Sequence, residues 1–182
     1  ALIAAITAGF LLLQRKAAPL TVWVFDIGQG DAIFIDGPEK QIVIDGGPNT
    51  DVIEKLGSVM LPWDRTLDAV ILTHPHADHV TGLVEVLKRY DVGVVIMSAA
   101  YLKTDVYGEF LRTLRDKNMP IIFAKAGQAI HFGQKLNVDI LSPEGNKLDL
   151  FGGYNEGFGM AGNDVNDESV VAKISFGGFT LL

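Results

Sequence analysis

Three of the four histidines in this chain fall inside six residues, His74-Pro-His76-Ala-Asp78-His79, with an aspartate between the second and the third. Core packing gives no reason for such crowding. The spacing H-x-H-x-D-H sets imidazole nitrogens and a carboxylate oxygen on one short loop, and both atom types are good ligands for zinc-like or manganese-like divalent ions. The apolar run Asp68-Ala-Val-Ile-Leu72 leads straight into it, which predicts a buried strand delivering the ligands to the rim of a rigid frame. A histidine-rich surface turn without metal is the competing reading, and it leaves the spacing without a mechanism.

Two divalent ions about 3.5 to 4 Å apart stabilise both the attacking and the leaving oxygen of a displacement. The motif suits such a pair, with His74 and His76 facing one ion and Asp78 and His79 the other. Covalent catalysis is not on offer: the chain has no cysteine and no G-x-S-x-G, and it also lacks a phosphate-cradling G-x-x-x-x-G-K-[ST]. Without thiolates, any metal must be held by nitrogen and oxygen.

The 182 residues suffice for one domain with a substantial core. A net charge of -7 and a pI near 5.0 exclude nonspecific binding of a polyanion through a broad basic face. A nucleic-acid substrate would have to be attracted by bound metal and local Lys and Arg. Apolar residues make up 48% of the chain and charged ones 20%, with a mean hydropathy of +0.27, and the source of that excess is the first stretch. Ala1 to Leu13 has no charge and is stopped abruptly by Gln14-Arg15-Lys16. As a helix it would be about 20 Å long, short of the roughly 30 Å of bilayer hydrocarbon. It competes as a signal-peptide core, a buried amphipathic helix or the last turns of a membrane helix. It has no charged start and no polar face, which favours the membrane helix, with Arg15 and Lys16 as interfacial anchors. We therefore expect residues 1–18 to be a membrane-helix end with its linker, and 19–182 to be the domain.

From Pro19 the pattern turns to strand. Leu20–Phe25, Ala32–Ile35 and Gln41–Ile44, separated by Gly28-Gln-Gly30 and Gly37-Pro38, predict an antiparallel meander. Helical spacing over Asp51–Met60, Val80–Tyr90 and Val106–Lys117 alternates with strands at Asp68–Leu72, Val92–Met97 and Pro120–Ala124, the α/β pattern of a layered fold. Ala129–Phe132 with Leu136–Leu141, and Ser169–Ile174 with Phe179–Leu182, predict two hairpins. Between them Ser142–Asp167 is rich in Gly, Asn and Asp and has no period. A loop of that length is usually functional or disordered.

At this point the residues carry a resemblance. His74-Pro-His-Ala-Asp-His79 after a strand, with Asp45-Gly-Gly47 upstream, resembles the metallo-β-lactamase superfamily, whose fold is a four-layer αβ/βα sandwich with a dinuclear site at its edge. Phe25-Asp-Ile-Gly-Gln-Gly-Asp-Ala32, Ile44-Asp-Gly-Gly47, Thr73–Leu83, Leu141-Ser-Pro143 and Asp167-Glu-Ser-Val-Val171 resemble one branch, the C-terminal domain of ComEC, the family of membrane channels for DNA uptake in natural competence and transformation. The resemblance spans Thr21 to Leu182. It implies a membrane-associated nuclease using two divalent ions, Mn or Zn, that degrades the DNA strand not taken up, alongside other competence proteins.

It also implies roles. His74, His76, Asp78 and His79 would be the metal ligands, Asp78 and Asp45 the catalytic carboxylates, with Asp45 behind the ligands at its strand end. Asp31 would reach the rim, and Asn166 and Ser169 would face substrate phosphate. A Thr-Gly-Asp and a histidine pair are further implied beyond Leu182, so the chain holds part of the ligand set and weak metal binding is expected of it. A cell-membrane location with the domain on the extracytoplasmic side follows from the resemblance, whereas Arg15-Lys16 alone would favour the cytoplasmic face. Esterase, lactonase or thioesterase chemistry on a small molecule, and a non-catalytic gating module, are the alternatives.

Other candidates have plainer readings. His131 is expected to be a structural residue bonded locally in its hairpin. Asp45 and Asp31 could each cap a turn. Phe151, Tyr154 and Phe158 are expected to pin the glycine-rich loop more than to stack on bases. Lys103, Arg112, Arg115 and Lys117 alternate with Asp105, Glu109 and Asp116, the pattern of a solvated helix face.

Overall fold

The computed structural model describes residues 19–144 and 166–182. The expected membrane-helix end, and the aromatics Phe151, Tyr154 and Phe158, lie outside the described residues. Among the described residues no helix is long and apolar enough to cross a membrane.

Among the described residues ten strands form two sheets. In the first, β1 (Thr21–Val24), β2 (Ile33–Asp36) and β3 (Gln41–Ile44) make the expected antiparallel meander, and β4 (Thr66–Leu72), β5 (Asp91–Met97) and β6 (Ile121–Phe123) continue it in parallel, in the order β1-β2-β3-β4-β5-β6. Parallel neighbours need crossovers, here α1 (Asp51–Val59), α2 (Ala77–Arg89) and α3 (Asp105–Asp116). Right-handed crossovers that step across a sheet in one direction put every helix on the same face. The second sheet is antiparallel, in the order β10-β9-β8-β7, from β7 (Ala129–Phe132), β8 (Leu136–Ser142), β9 (Val171–Phe176) and β10 (Phe179–Leu181).

The two faces of the first sheet found two cores. Phe34, Val43, Val70, Leu72, Val95 and Met97 pack against Val52, Leu56, Val80, Leu83, Leu87, Tyr107 and Phe110 of the helices. Their neighbours Ile35, Ile42, Ala69, Ile71 and Ile96 point the other way and meet Phe132, Leu136, Val138, Ile140 and Ile174 of the second sheet. Burial on both faces is why the central strands read as unbroken apolar runs, while helix spacing stays amphipathic. The described residues thus build a helix layer, a mixed sheet and a second sheet, three of the four layers that the resemblance implies.

One boundary differs in a way that matters. Helix α2 starts at Ala77, with His76 as its N-cap residue, and not at Val80 as the apolar period suggests. Asp78 and His79 therefore stand on the first helical turn, where an acid is favoured by the helix dipole.

Candidate metal centre

Parallel strands that share a direction bring their carboxyl ends to one edge, and open α/β sheets mount ligands there. At this edge Asp45 directly follows β3 and Thr73-His74 directly follows β4. The loop of Asp45-Gly46-Gly47 lies directly on α2: Gly46 N donates to His79 O at 2.8 Å and Gly82 N to Gly47 O at 3.2 Å. A Cβ on Gly82 would fall 1.9 Å from Gly46 O, and one on Gly46 would fall 2.4 Å from Leu83 N. The two glycines let backbone meet backbone, and so bring Asp45 to His79.

Asp45 is 1% exposed, and its φ of 55° is unusual for a residue with a side chain. Its carboxylate is held from three sides. Thr73 N donates to Oδ1 at 2.8 Å, Thr73 Oγ1 donates to Oδ2 at 2.6 Å, and His79 Nδ1 lies 2.8 Å from Oδ2. A carboxylate only accepts, so the bonding pattern assigns the proton of His79 to Nδ1. The Thr73 hydroxyl has given its one proton to Asp45 and must accept from its other neighbour, His74 Nδ1 at 2.9 Å. Both imidazoles are thereby fixed as Nδ1–H tautomers with Nε2 lone pairs free, the form in which a histidine binds a metal through Nε2.

The other candidate donors stand near one another. The ring centroids of His74 and His79 are 4.0 Å apart and those of His74 and His76 are 4.9 Å apart. Asp78 Oδ1 lies 3.9 Å from His79 Nε2, while its Oδ2 accepts from Gln29 Nε2 at 3.1 Å. Burial, with the neighbouring charges of His79 and His76, holds His74 below the ordinary imidazole value against the opposing pull of Asp45 and Asp78. Burial also disfavours a charged His79, yet the hydrogen bond and charge of Asp45, joined by Asp78 and Asp31, raise it. For Asp78 partial burial works upward and is outweighed by the Gln29 bond, a backbone bond and the two histidines, so its carboxyl is lowered. Rings this close resist sharing several protons. An ion that takes their place relieves the repulsion.

Three imidazoles, two of them with Nε2 left unprotonated, and a carboxylate are a donor set whose chemistry fits a zinc- or manganese-like ion. Among the described residues, the set of three such groups whose ligand atoms all lie within 4.8 Å of one another is Asp31, Asp45 and His79. An ion there would compete with the three hydrogen bonds that already occupy Asp45, so we take Asp45 as the residue that orients the ligands. Asp31 is exposed at the rim, 3.9 Å from His79 Nδ1.

Asn166 and Ser169 arrive from the far side. Ser169 N donates to Asn166 O at 3.1 Å, and the next residue, Val170, donates its N–H to Thr73 O at 2.9 Å, which moors that turn beside the histidine segment. His131 stands apart, exposed, with Nδ1 2.6 Å from Asn137 Oδ1 across its hairpin. Arg115 pairs with Asp116, and Lys117 bonds to the carbonyl of Leu87, which keeps both off the site. Sequence reasoning did not single out Thr73 or Gln29 as site residues. A hydroxyl directly before the first histidine at a strand end, and an amide between two glycines, were the available signals.

A layered α/β frame that gathers histidine and aspartate donors at the carboxyl ends of its parallel strands defines a metal-binding type of α/β sandwich. The chain belongs to the metallo-beta-lactamase superfamily, whose family model matches residues 25–159. ComE operon protein 3 of Bacillus subtilis (strain 168) is 27% identical to it, the match covering 66% of this chain and 18% of that protein. Hydroxyacylglutathione hydrolase of Serratia proteamaculans (strain 568) is 36% identical over a shorter match, 38% of this chain and 22% of that one. The chain thus spans about a fifth of the length of these two relatives. Among solved structures, the metallo-beta-lactamase fold protein YhfI of Bacillus subtilis superposes with a TM-score of 0.56 at 17% identity, covering 90% of this chain and 61% of that one, which speaks for the fold alone.

Proposed function

We propose that the domain is a metal-dependent phosphodiesterase acting on DNA, the nuclease of a membrane DNA-uptake channel. The observation that carries the hydrolytic part is the pair of Nδ1–H tautomers fixed through Asp45 and Thr73, which leaves Nε2 of His74 and His79 unprotonated, the latter 3.9 Å from Asp78 Oδ1. His74 and His76 would hold one divalent ion, Asp78 and His79 a second, either Mn or Zn. The ions, when bound, supply Lewis acidity and an activated water. Asp45 keeps the imidazoles oriented, Gln29 keeps Asp78 Oδ1 turned to the site, and Asn166 and Ser169 would meet the phosphate. The DNA reading is supported by the resemblance to ComEC and by the match to ComE operon protein 3. With a net charge of -7, the domain would draw a polyanion through its ions and not through its surface. The apolar Ala1–Leu13 supports a membrane tether, and the resemblance supports its extracytoplasmic side.

The match to hydroxyacylglutathione hydrolase favours a second reading, hydrolysis of a small thioester. The two separate on one assay: the chain, loaded with Mn or Zn, is given labelled single- and double-stranded DNA and, separately, a glutathione thioester. Metal-dependent DNA cleavage that is lost in Asp78→Ala is the expected result. Turnover of the thioester with DNA intact would overturn the nuclease reading.

A further inference from the structure

The turn between α1 and β4 carries the more exposed of the chain's two tryptophans. Asp64 N donates to Leu61 O at 2.8 Å and Thr66 N to Asp64 Oδ1 at 3.2 Å, closing a four-residue turn with Pro62 and Trp63 at its tip. Leu61 is 49% exposed and Trp63 72%, while Met60 directly before them is buried in the helix–sheet core and fixes the base of the turn. A hydrogen-bonded turn that holds a leucine and a tryptophan side by side out into water suits a surface that is half apolar and half wet. An indole has an apolar body and one N–H donor, which is why tryptophan gathers at membrane interfaces.

The topology says where this turn stands. Thr21 pairs with Asp36, Asp36 pairs with Gln41, and Gln41 N donates to Asp68 Oδ2 at 2.8 Å. These residues form one row across the sheet at the end opposite the histidines. The Leu61–Asp64 turn precedes the start of β4 and so lies at that same end, where the chain enters through Pro19 and Leu20. Three strand spacings, about 14 Å, separate β1 from β4. Just upstream of the entry the sequence runs Gln14-Arg15-Lys16 after the uncharged Ala1–Leu13.

We infer that the Leu61–Trp63 turn is a membrane contact, seated in the interfacial zone of the bilayer beside the point where the N-terminal segment leaves it. The inference rests on the reading of Ala1–Leu13 as a membrane segment. The bilayer is the fitting occupant because that segment is apolar all round, and two side chains on one turn could cover only one of its sides. The seven residues of β4, at about 3.3 Å each, then hold the histidine segment roughly 23 Å above the turn. The site opens away from the lipid, toward a substrate arriving from solution.

The test uses the 182-residue chain reconstituted into vesicles of phosphatidylcholine and phosphatidylglycerol, with Trp23→Phe leaving Trp63 as the sole tryptophan. Lipids brominated near the headgroup end of the acyl chain should quench its emission at least twofold and shift it to shorter wavelength. The same measurement on Trp63→Phe, which retains Trp23, should show little quenching, and wild type against Trp63→Phe gives the same comparison should Trp23→Phe fold poorly. Flotation of the vesicles is read on the same samples. A chain that floats while Trp63 stays unquenched overturns this inference alone; one that does not float overturns the membrane reading and this inference with it.

Discussion

Asp45 concentrates much of the site's order in one buried carboxylate. Removing it in Asp45→Ala strips partners from Thr73 N, Thr73 Oγ1 and His79 Nδ1, and unpaired buried polar groups cost about 1–3 kcal/mol each. We expect a loss of about 3 kcal/mol in denaturant unfolding and a 10- to 100-fold weaker metal affinity, the usual penalty for losing a group that orients a ligand. Thr73→Val should spare His79 and free only His74. Protonation gives an independent check in the metal-free chain. His79 is raised above 6.5, so its contribution to stability is complete below about pH 6.5 and is lost as the pH rises through the folded value. His74 is lowered and has the opposite sign, with stability lost as the pH falls below about 6.5. An NMR titration should find His79 above and His74 below the ordinary value, and Asp45→Asn should abolish the rise at His79; coincident titrations would refute the hydrogen-bond pattern. The candidate ligands were singled out by spacing alone, since no packing rule crowds three histidines and an aspartate into six residues. Thr73 was not: its role depends on a carboxylate 28 residues upstream, and that closeness exists only once β3 and β4 pair.

At the scale of elements, the fit of α2 against the Asp45-Gly46-Gly47 loop decides whether the ligands meet. Gly82→Ala places a methyl group 1.9 Å from Gly46 O, a collision with backbone that no rotamer relieves. Overpacking of this kind costs about 1–3 kcal/mol, and because the helix must move, metal affinity should fall together with thermal stability. A stable Gly82→Ala chain with undiminished affinity would show that the close approach is dispensable. The opposite clamp is lighter: Gln29→Ala removes one exposed bond to Asp78 and should weaken metal binding while leaving the unfolding midpoint in place. Strand and helix types could be read along most of the chain, because period-2 and period-3.6 patterns survive wherever one face is buried. The start of α2 could not, since Ala77, Asp78 and His79 carry no apolar period; the helix begins there for the sake of the site, with the acid at its N-terminus.

The whole molecule depends on a sheet buried on both sides. Ile96 lies between the sheets at 0% exposure, and Ile96→Ala should cost about 2–5 kcal/mol. Fluorescence and metal release should report the same transition if both sheets unfold together. Pairing of the four-stranded sheet across that core was not legible in sequence, because a hairpin's apolar face does not name its partner. The sandwich itself became legible only through the resemblance that the histidine segment carries. The central claim, that His74, His76, Asp78 and His79 form a divalent-metal centre, is tested most directly by titrating Co2+ into the 182-residue chain and following its visible absorption and calorimetric heat. The account predicts a nitrogen–oxygen ligand spectrum, proton release on binding, and affinity at least tenfold weaker in His76→Ala and Asp78→Ala. Binding that is unchanged in both variants would place the ion elsewhere and contradict it.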